Sequence, residues 1–313
     1  MKIYQGFDQL LEIPNPVLTI GTFDGVHIGH QQIIQQLNRE AEAIGGESVL
    51  FTFYPHPRMV LYPESHGLRL IQTQVEKMDK LRRMGLQNVI VHPFTKEFSR
   101  LTAVEFVRDY LVNRLQVKKL VIGYDHQFGK NREGSIDFLK DVAPVYGFDV
   151  QEISAQEIDE VNISSTKIRN AILEGDMALA KSYLGEPFEL HGKVIQGNAL
   201  GRSIGFPTAN LDIESDIKLI PKLGVYAVNV VLSDGSLKEG MMNIGVRPSI
   251  ANHDDLSLEV NLFDFEGDLY DQYITVQLLS RFRDEMKFDS IPDLKEQLHH
   301  DKETIRAYFN SLV

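Results

Sequence analysis

The chain has 313 residues, enough for two domains, and its 43% apolar content supplies a core and argues against disorder. It contains no cysteine, which excludes disulfide scaffolds, zinc ribbons and thiol nucleophiles. A formal net charge of −12 argues against nucleic acid or an anionic membrane as partner, but leaves room for a small anionic ligand held by local donors and a bridging metal ion.

The opening MKIYQGFDQL lacks the apolar run of a signal peptide. No stretch of about 18 apolar residues suggests a membrane span, so a soluble cytoplasmic protein is expected. PVLTI, SVLFTF, NVIVHPF and KLVIGY read as buried strands. Helical patterns lie between them, around Gln31–Ala43, Gln74–Met84 and Val104–Leu111. Such alternation predicts a parallel sheet with crossover helices, a Rossmann-like α/β domain. Helical periodicity then dominates from Thr166 to Leu184.

The pattern changes near SYLGEPFELHGKV. Strand candidates follow in GVYAVNVVL, LSLEVNLFDF and YITVQLL, separated by turn signals such as SDGS and FEGD. A last helix is expected in IPDLKEQLHHDKETIRAYFNSL, starting near Asp293 with Pro292 beside it. Two domains are therefore expected: residues 1–184, α/β, and residues 185–313, a small antiparallel barrel closed by a C-terminal helix.

The segment GTFDGVHIGH separates the VLTI strand from the HQQIIQQL helix. Glycines at a strand-to-helix turn let a ligand approach the backbone, where free N–H groups and the positive end of the helix dipole favour phosphate. His27 and His30 stand about one turn apart and so reach one spot, each offering an N–H donor to an anionic oxygen. A plain structural turn explains the histidines less well. Zinc would need a third ligand that is not nearby in sequence. Ser164, Ser165 and Thr166 precede another helical run and have capping as their ordinary role. Lys167 and Arg169, in its first turn, oppose the dipole and suggest a bound anion there.

These two motifs together resemble the adenylyltransferase half of bacterial FAD synthetases, within the nucleotidyltransferases that carry H-x-G-H. The resemblance implies an ATP site made by Gly21, Phe23, Asp24, Gly25, His27, Gly29 and His30. It adds Ser164, Ser165, Thr166 and Arg169 as a second clamp, His56 of FTFYPHP near the phosphates, and Asp125 of GYDHQFGKNREG near nucleotide or flavin. His126 stands where the family usually has phenylalanine. The implied reaction is attack of an FMN phosphate on the α-phosphorus of ATP with release of pyrophosphate. It needs positioning and charge neutralisation, with Mg²⁺ bridging phosphates.

In GKVIQGNALGRSIGFPTANL, the glycines and proline mark a loop of demanding geometry. Thr208 and Asn210 alternate, so on extended chain they share a side, and their oxygens suit Mg²⁺. Glu259 and Asn261 share a face of the LSLEVNLFDF strand, opposite Leu258, Val260 and Leu262. A carboxylate on such a strand is often merely solvated. If Glu259 faces a pocket, it is a general base for a hydroxyl.

This half resembles riboflavin kinases, which are six-stranded Greek-key barrels. The resemblance implies that Thr208 and Asn210 hold Mg²⁺–ATP, that Gly201, Arg202, Gly205, Phe206 and Pro207 wrap the nucleotide, that Glu259 activates riboflavin's 5′-hydroxyl, and that Arg281 borders the flavin. Departures from the family pattern are Asn261 for histidine, Asp271 for glycine, and Ser249-Ile250 for a Thr-Phe type pair. The expected function is a bifunctional enzyme converting riboflavin to FMN and FMN to FAD with ATP. The alternative is an adenylyltransferase whose barrel only binds flavin or regulates. An aminoacyl-tRNA synthetase ranks low, because it needs a second K-M-S-K-S-like loop and a basic surface. A flavin sensor without catalysis ranks low because both phosphate motifs are intact. The sequence carries no signal for oligomeric state.

Overall fold

Strands that are apolar on both faces need helices on both sides, and the first half of the chain builds that arrangement. The computed structural model describes residues 1–8, 10–63, 67–124, 126–154, 163–197, 201, 204–247 and 255–312. They divide into two compact units, Met1–Ser165 and Thr166–Val313.

The first unit contains β1 (Lys2–Gln5), β2 (Val17–Ile20), α1 (Ile28–Ala43), β3 (Ser48–Tyr54), α2 (Pro57–Leu61), α3 (Gln74–Arg83), β4 (Asn88–Pro93), α4 (Ala103–Phe106), β5 (Lys119–Gly123), α5 (Ile136–Tyr146) and β6 (Asp149–Ile153). Its strands form one sheet in the order β1-β4-β3-β2-β5-β6, with every pairing parallel. Leu18 and Ile20 join Phe51 and Ile122 in one core, while Val17 joins Leu50, Val89 and Val121 in the other. The four strands read from apolar runs are β2 to β5. The edge strands β1 and β6 were not among them. Three of the four residues of β1 are exposed, and most of β6 is half-buried, so neither needs an apolar run. The helix expected at Val104–Leu111 starts as α4 and widens into a π-helical turn over Val107–Val112.

α6 (Ser165–Glu174) straddles the division. The second unit continues with α7 (Met177–Leu184), β7 (Phe188–Ile195), β8 (Ala209–Asp212), β9 (Gly224–Val231), β10 (Leu237–Arg247), β11 (Asp255–Leu262), β12 (Tyr273–Arg283) and α8 (Ile291–Asn310). The six strands close an antiparallel barrel in the order β10-β11-β8-β7-β12-β9. Ile305 and Phe309 of α8 pack against Phe206, Val225, Ala227, Met241 and Phe263. α8 begins ahead of Asp293: Ser290 caps it by accepting from the Asp293 N–H at 3.3 Å, and Pro292 lies inside the first turn. The expected succession of α/β domain, six-stranded barrel and C-terminal helix is the fold observed.

Candidate functional site

β2 has β3 on one side and β5 on the other, and the strand order reverses between β2 and β5. Ligands of open parallel sheets bind beyond the carboxyl ends at such a reversal. The GTFDGVHIGH segment leaves β2 there. A Cβ on Gly21 would stand 2.9 Å from the Phe23 ring, so this position needs glycine. Phe23 and Val26 take left-handed backbone at φ 50° and 37°, a conformation non-glycine residues hold only when their surroundings enforce it. Asp24 supplies that enforcement. Its buried carboxylate accepts from the N–H of Ile71 at 3.0 and 3.3 Å and of Gln72 at 3.4 Å. Gly25 lies under Ile71 at φ 90°, and Gly29 is buried in α1. Ser165, at the start of α6, donates to the Asp24 carbonyl at 3.0 Å.

His27 is the N-cap of α1, and its Nδ1 accepts from the His30 N–H at 3.4 Å. That bond leaves the proton on Nε2, which becomes the outward donor. The His30 ring stacks on both sides, 3.6 Å from His27 and 4.4 Å from Phe23 between centroids. Its buried Nδ1 has no hydrogen-bond partner among the described residues. An orphaned ring nitrogen at a helix N-terminus fits an anionic ligand that completes it. Burial, and then the Lys80 charge, lowers His27 to about 4. His30 is pushed well below its ordinary value by burial first, then by His27, Lys80 and Lys77. Both histidines therefore act at neutral pH as uncharged donors.

Beside this loop is a cavity of about 730 Å³. Gly21 and Thr22 reach it, and Phe53, Phe94, Phe98, Phe106 and Phe128 wall it. His126 lies in the same wall, 5.9 Å from the Phe128 ring and nearly parallel to it, so the departure from phenylalanine keeps a flat ring there. His56 caps α2 by accepting from the Arg58 N–H at 3.2 Å, next to Pro57, which lines the cavity. Ser164 precedes α6. Thr166 and Arg169 lie on α6 and belong to the second compact unit. Asp125 lies outside the described residues.

The second unit has its own cavity, of about 280 Å³. Gly201, Phe206, Thr208, Asn210, Glu259 and Asn261 all line it. Register explains the convergence. Glu259 of β11 pairs with Asn210 of β8 and with Asn243 of β10, which puts three polar side chains in a row on one face. Glu259 Oε1 accepts from the Ser257 hydroxyl at 2.9 Å. Asn261 donates to the Pro207 carbonyl at 2.7 Å and so ties β11 to the FPTAN loop. A Cβ on Gly201 would fall on the Phe206 carbonyl oxygen, so the loop closes on itself only with glycine there. Gly205 takes φ 86°. Among the described residues no group of three acidic, histidine or cysteine side chains is placed to hold a metal ion. The hydroxyl of Thr208 and the amide of the buried Asn210 fit a hard cation that takes its other oxygens from phosphates and water.

Arg281 is not in the cavity wall: it donates to the Leu223 carbonyl at 2.6 and 3.2 Å and pairs with Asp284. Arg283 lines the cavity instead and holds the buried Asp301 with bonds of 2.7 to 3.1 Å. Asp271 takes φ 63° and pairs with Lys193 at 2.7 Å, an exposed turn in which aspartate is tolerated in place of glycine. Arg202, Ser249 and Ile250 lie outside the described residues.

Residues 11–167 match the FAD synthetase family model, and residues 184–309 match the riboflavin kinase model. The chain is 40% identical to a bifunctional riboflavin kinase/FMN adenylyltransferase of Haemophilus influenzae, covering 94% of each chain. It is 38% identical to the protein of the same description from Escherichia coli, covering 99% of this chain and 98% of that one. This chain belongs to the bifunctional riboflavin kinase/FMN adenylyltransferase family. A solved structure described as a macrolide-efflux protein from Streptococcus pneumoniae shares the fold, with a TM-score of 0.87 and 33% identity over 97% of this chain and 98% of that one. Among the described residues of this family member, no helix is long and apolar enough to cross a membrane.

The FAD synthetase match contains the H-x-G-H loop, and the riboflavin kinase match contains the Asn210–Glu259 pair. Sequence reasoning missed Lys77 and Lys80 in the first half and Asn243, Arg283 and Asp301 in the second. Lys77 and Lys80 sit on α3 at 5% and 4% exposure. Asn243 carried a weak signal, since MNIGVRPS lies within the residues that match the riboflavin kinase model.

Proposed function

We propose that the two reactions of this family run in two separate places in the chain, riboflavin phosphorylation at the barrel cavity and FMN adenylylation at the H-x-G-H loop. The observation that carries this reading is that each compact unit has its own cavity beside its own phosphate-binding motif. In the barrel, Glu259 takes the proton from riboflavin's 5′-hydroxyl, the hydroxyl oxygen bonds to the γ-phosphorus of ATP, and ADP leaves. The Ser257 hydroxyl orients the carboxylate that does this. Thr208 and Asn210 would hold the Mg²⁺ that accompanies ATP, which when bound would supply charge neutralisation at the transferred phosphoryl group.

At the H-x-G-H loop, an FMN phosphate oxygen bonds to the α-phosphorus of a second ATP, and the bond to the bridging oxygen breaks. Pyrophosphate leaves. His27 and His30 donate hydrogen bonds to phosphate oxygens, and the N-terminus of α1 adds its dipole. The phenylalanine-walled cavity suits the flavin ring. Ser164, Ser165, Thr166 and Arg169 complete the clamp, His56 approaches the phosphates, and Asp125 lies toward nucleotide or flavin. We place the functional boundary at residues 184–185, where the riboflavin kinase match begins. A chain without cysteine and with a net charge of −12 fits a cytoplasmic enzyme with no nucleic-acid partner.

One assay tests the whole reading. Riboflavin with Mg²⁺–ATP yields FMN and then FAD when the two are resolved over time. Asn210→Ala blocks the first product and leaves FAD formation from added FMN intact. If one substitution at either site abolishes both reactions in a folded protein, the two-site reading is wrong.

A further inference from the structure

The triphosphate of ATP is strongly anionic, yet the two H-x-G-H histidines bring it no net charge, being held neutral by burial. Lys77 and Lys80 of α3 place positive charge beside these histidines. Lys77 is 5% exposed, and both of its acceptors are neutral oxygens: the Thr22 carbonyl at 3.2 Å and the Thr52 hydroxyl at 3.4 Å. The Thr52 hydroxyl itself donates to the Thr22 carbonyl at 3.3 Å. Thus β3 and α3 converge on a single peptide oxygen of the loop that leaves β2. A buried ammonium whose hydrogen bonds go to neutral oxygens costs stability. The Asp24 carboxylate nearby offsets part of that cost. Sites that retain such a cost are characteristically functional.

We propose that Lys77 is a positioning residue for adenylylation: its buried ammonium fixes the Thr22 peptide beneath the nucleotide loop and supplies the positive field that the neutral histidines do not. This rests on the assignment of adenylylation to the H-x-G-H loop. Lys77 reaches the ligand through the Thr22 peptide, which opens on the cavity. The charged and titratable groups around it are Asp24 in the loop after β2, His30 in α1 with His27 stacked on it, and Lys80 one turn along α3. Burial lowers Lys77 to about 8, while the Asp24 charge pulls it upward. The ammonium is therefore present at neutral pH and is lost as pH rises through about 8, so the reaction that uses it slows on the alkaline side.

The test uses the full chain and Lys77→Met, which keeps the stem and removes the charge. FAD formation from FMN and FMN formation from riboflavin are followed from pH 6.5 to 9.5, with melting temperature as a third measurement. The expected result is a loss of at least about tenfold in kcat/KM for FAD formation. Riboflavin phosphorylation stays within about twofold, and the variant remains folded at the assay temperature. The unaltered chain shows an alkaline decline in FAD formation near pH 8 that Lys77→Met lacks and that riboflavin phosphorylation does not share. Three results overturn the proposal: FAD formation in Lys77→Met within about threefold of the unaltered chain, an unaltered chain without that decline, or loss of both activities together with a lower melting temperature. If the unaltered chain makes no FAD from FMN, the adenylylation assignment fails, a result distinct from these three.

Discussion

The two halves of this chain meet the same molecule, ATP, with different physics. The first half offers a helix N-terminus, two uncharged histidines and a peptide held from beneath by a buried ammonium. The second offers a row of amides and a carboxylate across three barrel strands. The difference follows from which nucleophile attacks. Adenylylation starts from a phosphate that is already anionic and needs no base, so donors and a fixed field suffice. Phosphorylation starts from a hydroxyl, and a proton must go somewhere. A carboxylate is accordingly present in the barrel row. The H-x-G-H loop has Asp24, but its carboxylate is engaged by backbone N–H groups.

The largest expected effect breaks this contrast at the base. Glu259→Gln keeps the shape and the Ser257 contact but removes the proton acceptor. Riboflavin phosphorylation falls by about a thousandfold, while FAD formation from supplied FMN is unchanged. Rates of the two half-reactions on the same preparation check it. An equal loss in both would show that the carboxylate serves folding. Next is His30→Ala, which removes one donor and the ring stacked between His27 and Phe23. FAD formation drops by about a hundredfold, and riboflavin phosphorylation is spared. A smaller effect sharpens the contrast within the barrel. Asn261→Leu removes the bond to the Pro207 carbonyl and frees the loop that presents Thr208. The KM for ATP in riboflavin phosphorylation rises about tenfold, the value of one hydrogen bond near 1.4 kcal/mol. Asn261→His, which retains an N–H donor, stays within about threefold. Initial rates at varied ATP and varied riboflavin separate the two KM values.

How much of this was legible in the sequence depends on the range of the interactions involved. The central strands and the H-x-G-H turn were readable because apolar runs and glycine placement act within a few residues. Lys77 and Lys80 were not. In QVEKMDKLRR they read as the polar face of an amphipathic helix, yet both are buried, and Lys77 bonds to the Thr22 carbonyl and the Thr52 hydroxyl. Arg281 and Arg283 show a second limit. Alternation along a strand assigns faces only while the ladder is regular, and β12 has register shifts between Leu278 and Ser280 and again between Arg281 and Arg283. The resemblance implies Arg281, whereas Arg283, beyond the second shift, lines the cavity. Asn261 is the reverse case: its departure from histidine looks damaging in sequence, but the structure gives it a donor's role.

The smallest expected effect concerns acid, and it again separates the halves. His27, His30 and His92, whose proton affinity is lowered, belong to the first unit. His92, next to last in β4, lies among Phe7, Phe51, Phe98 and Tyr110, and burial first, then the Arg114 charge, lowers it to about 4. The unfolded chain binds a proton at each of these histidines near pH 6.5, while the folded chain resists it. The stabilising contribution is thus complete above about pH 6.5 and is lost as pH falls toward 4. For half-buried His92 the loss is about 1–2 kcal/mol after allowance for solvent screening. Calorimetry between pH 7 and 4.5 then shows the transition of the first unit falling before that of the barrel, and FAD formation failing before FMN formation. His92→Phe isolates the cause. Its buried Nδ1 has no partner among the described residues, so the substitution forfeits no hydrogen bond to them, and a phenyl ring suits the surrounding rings. The variant should match the unaltered chain at pH 7 and melt at a higher temperature at pH 4.5. Parallel melting curves for the two proteins across that range would remove His92 from the account of acid sensitivity.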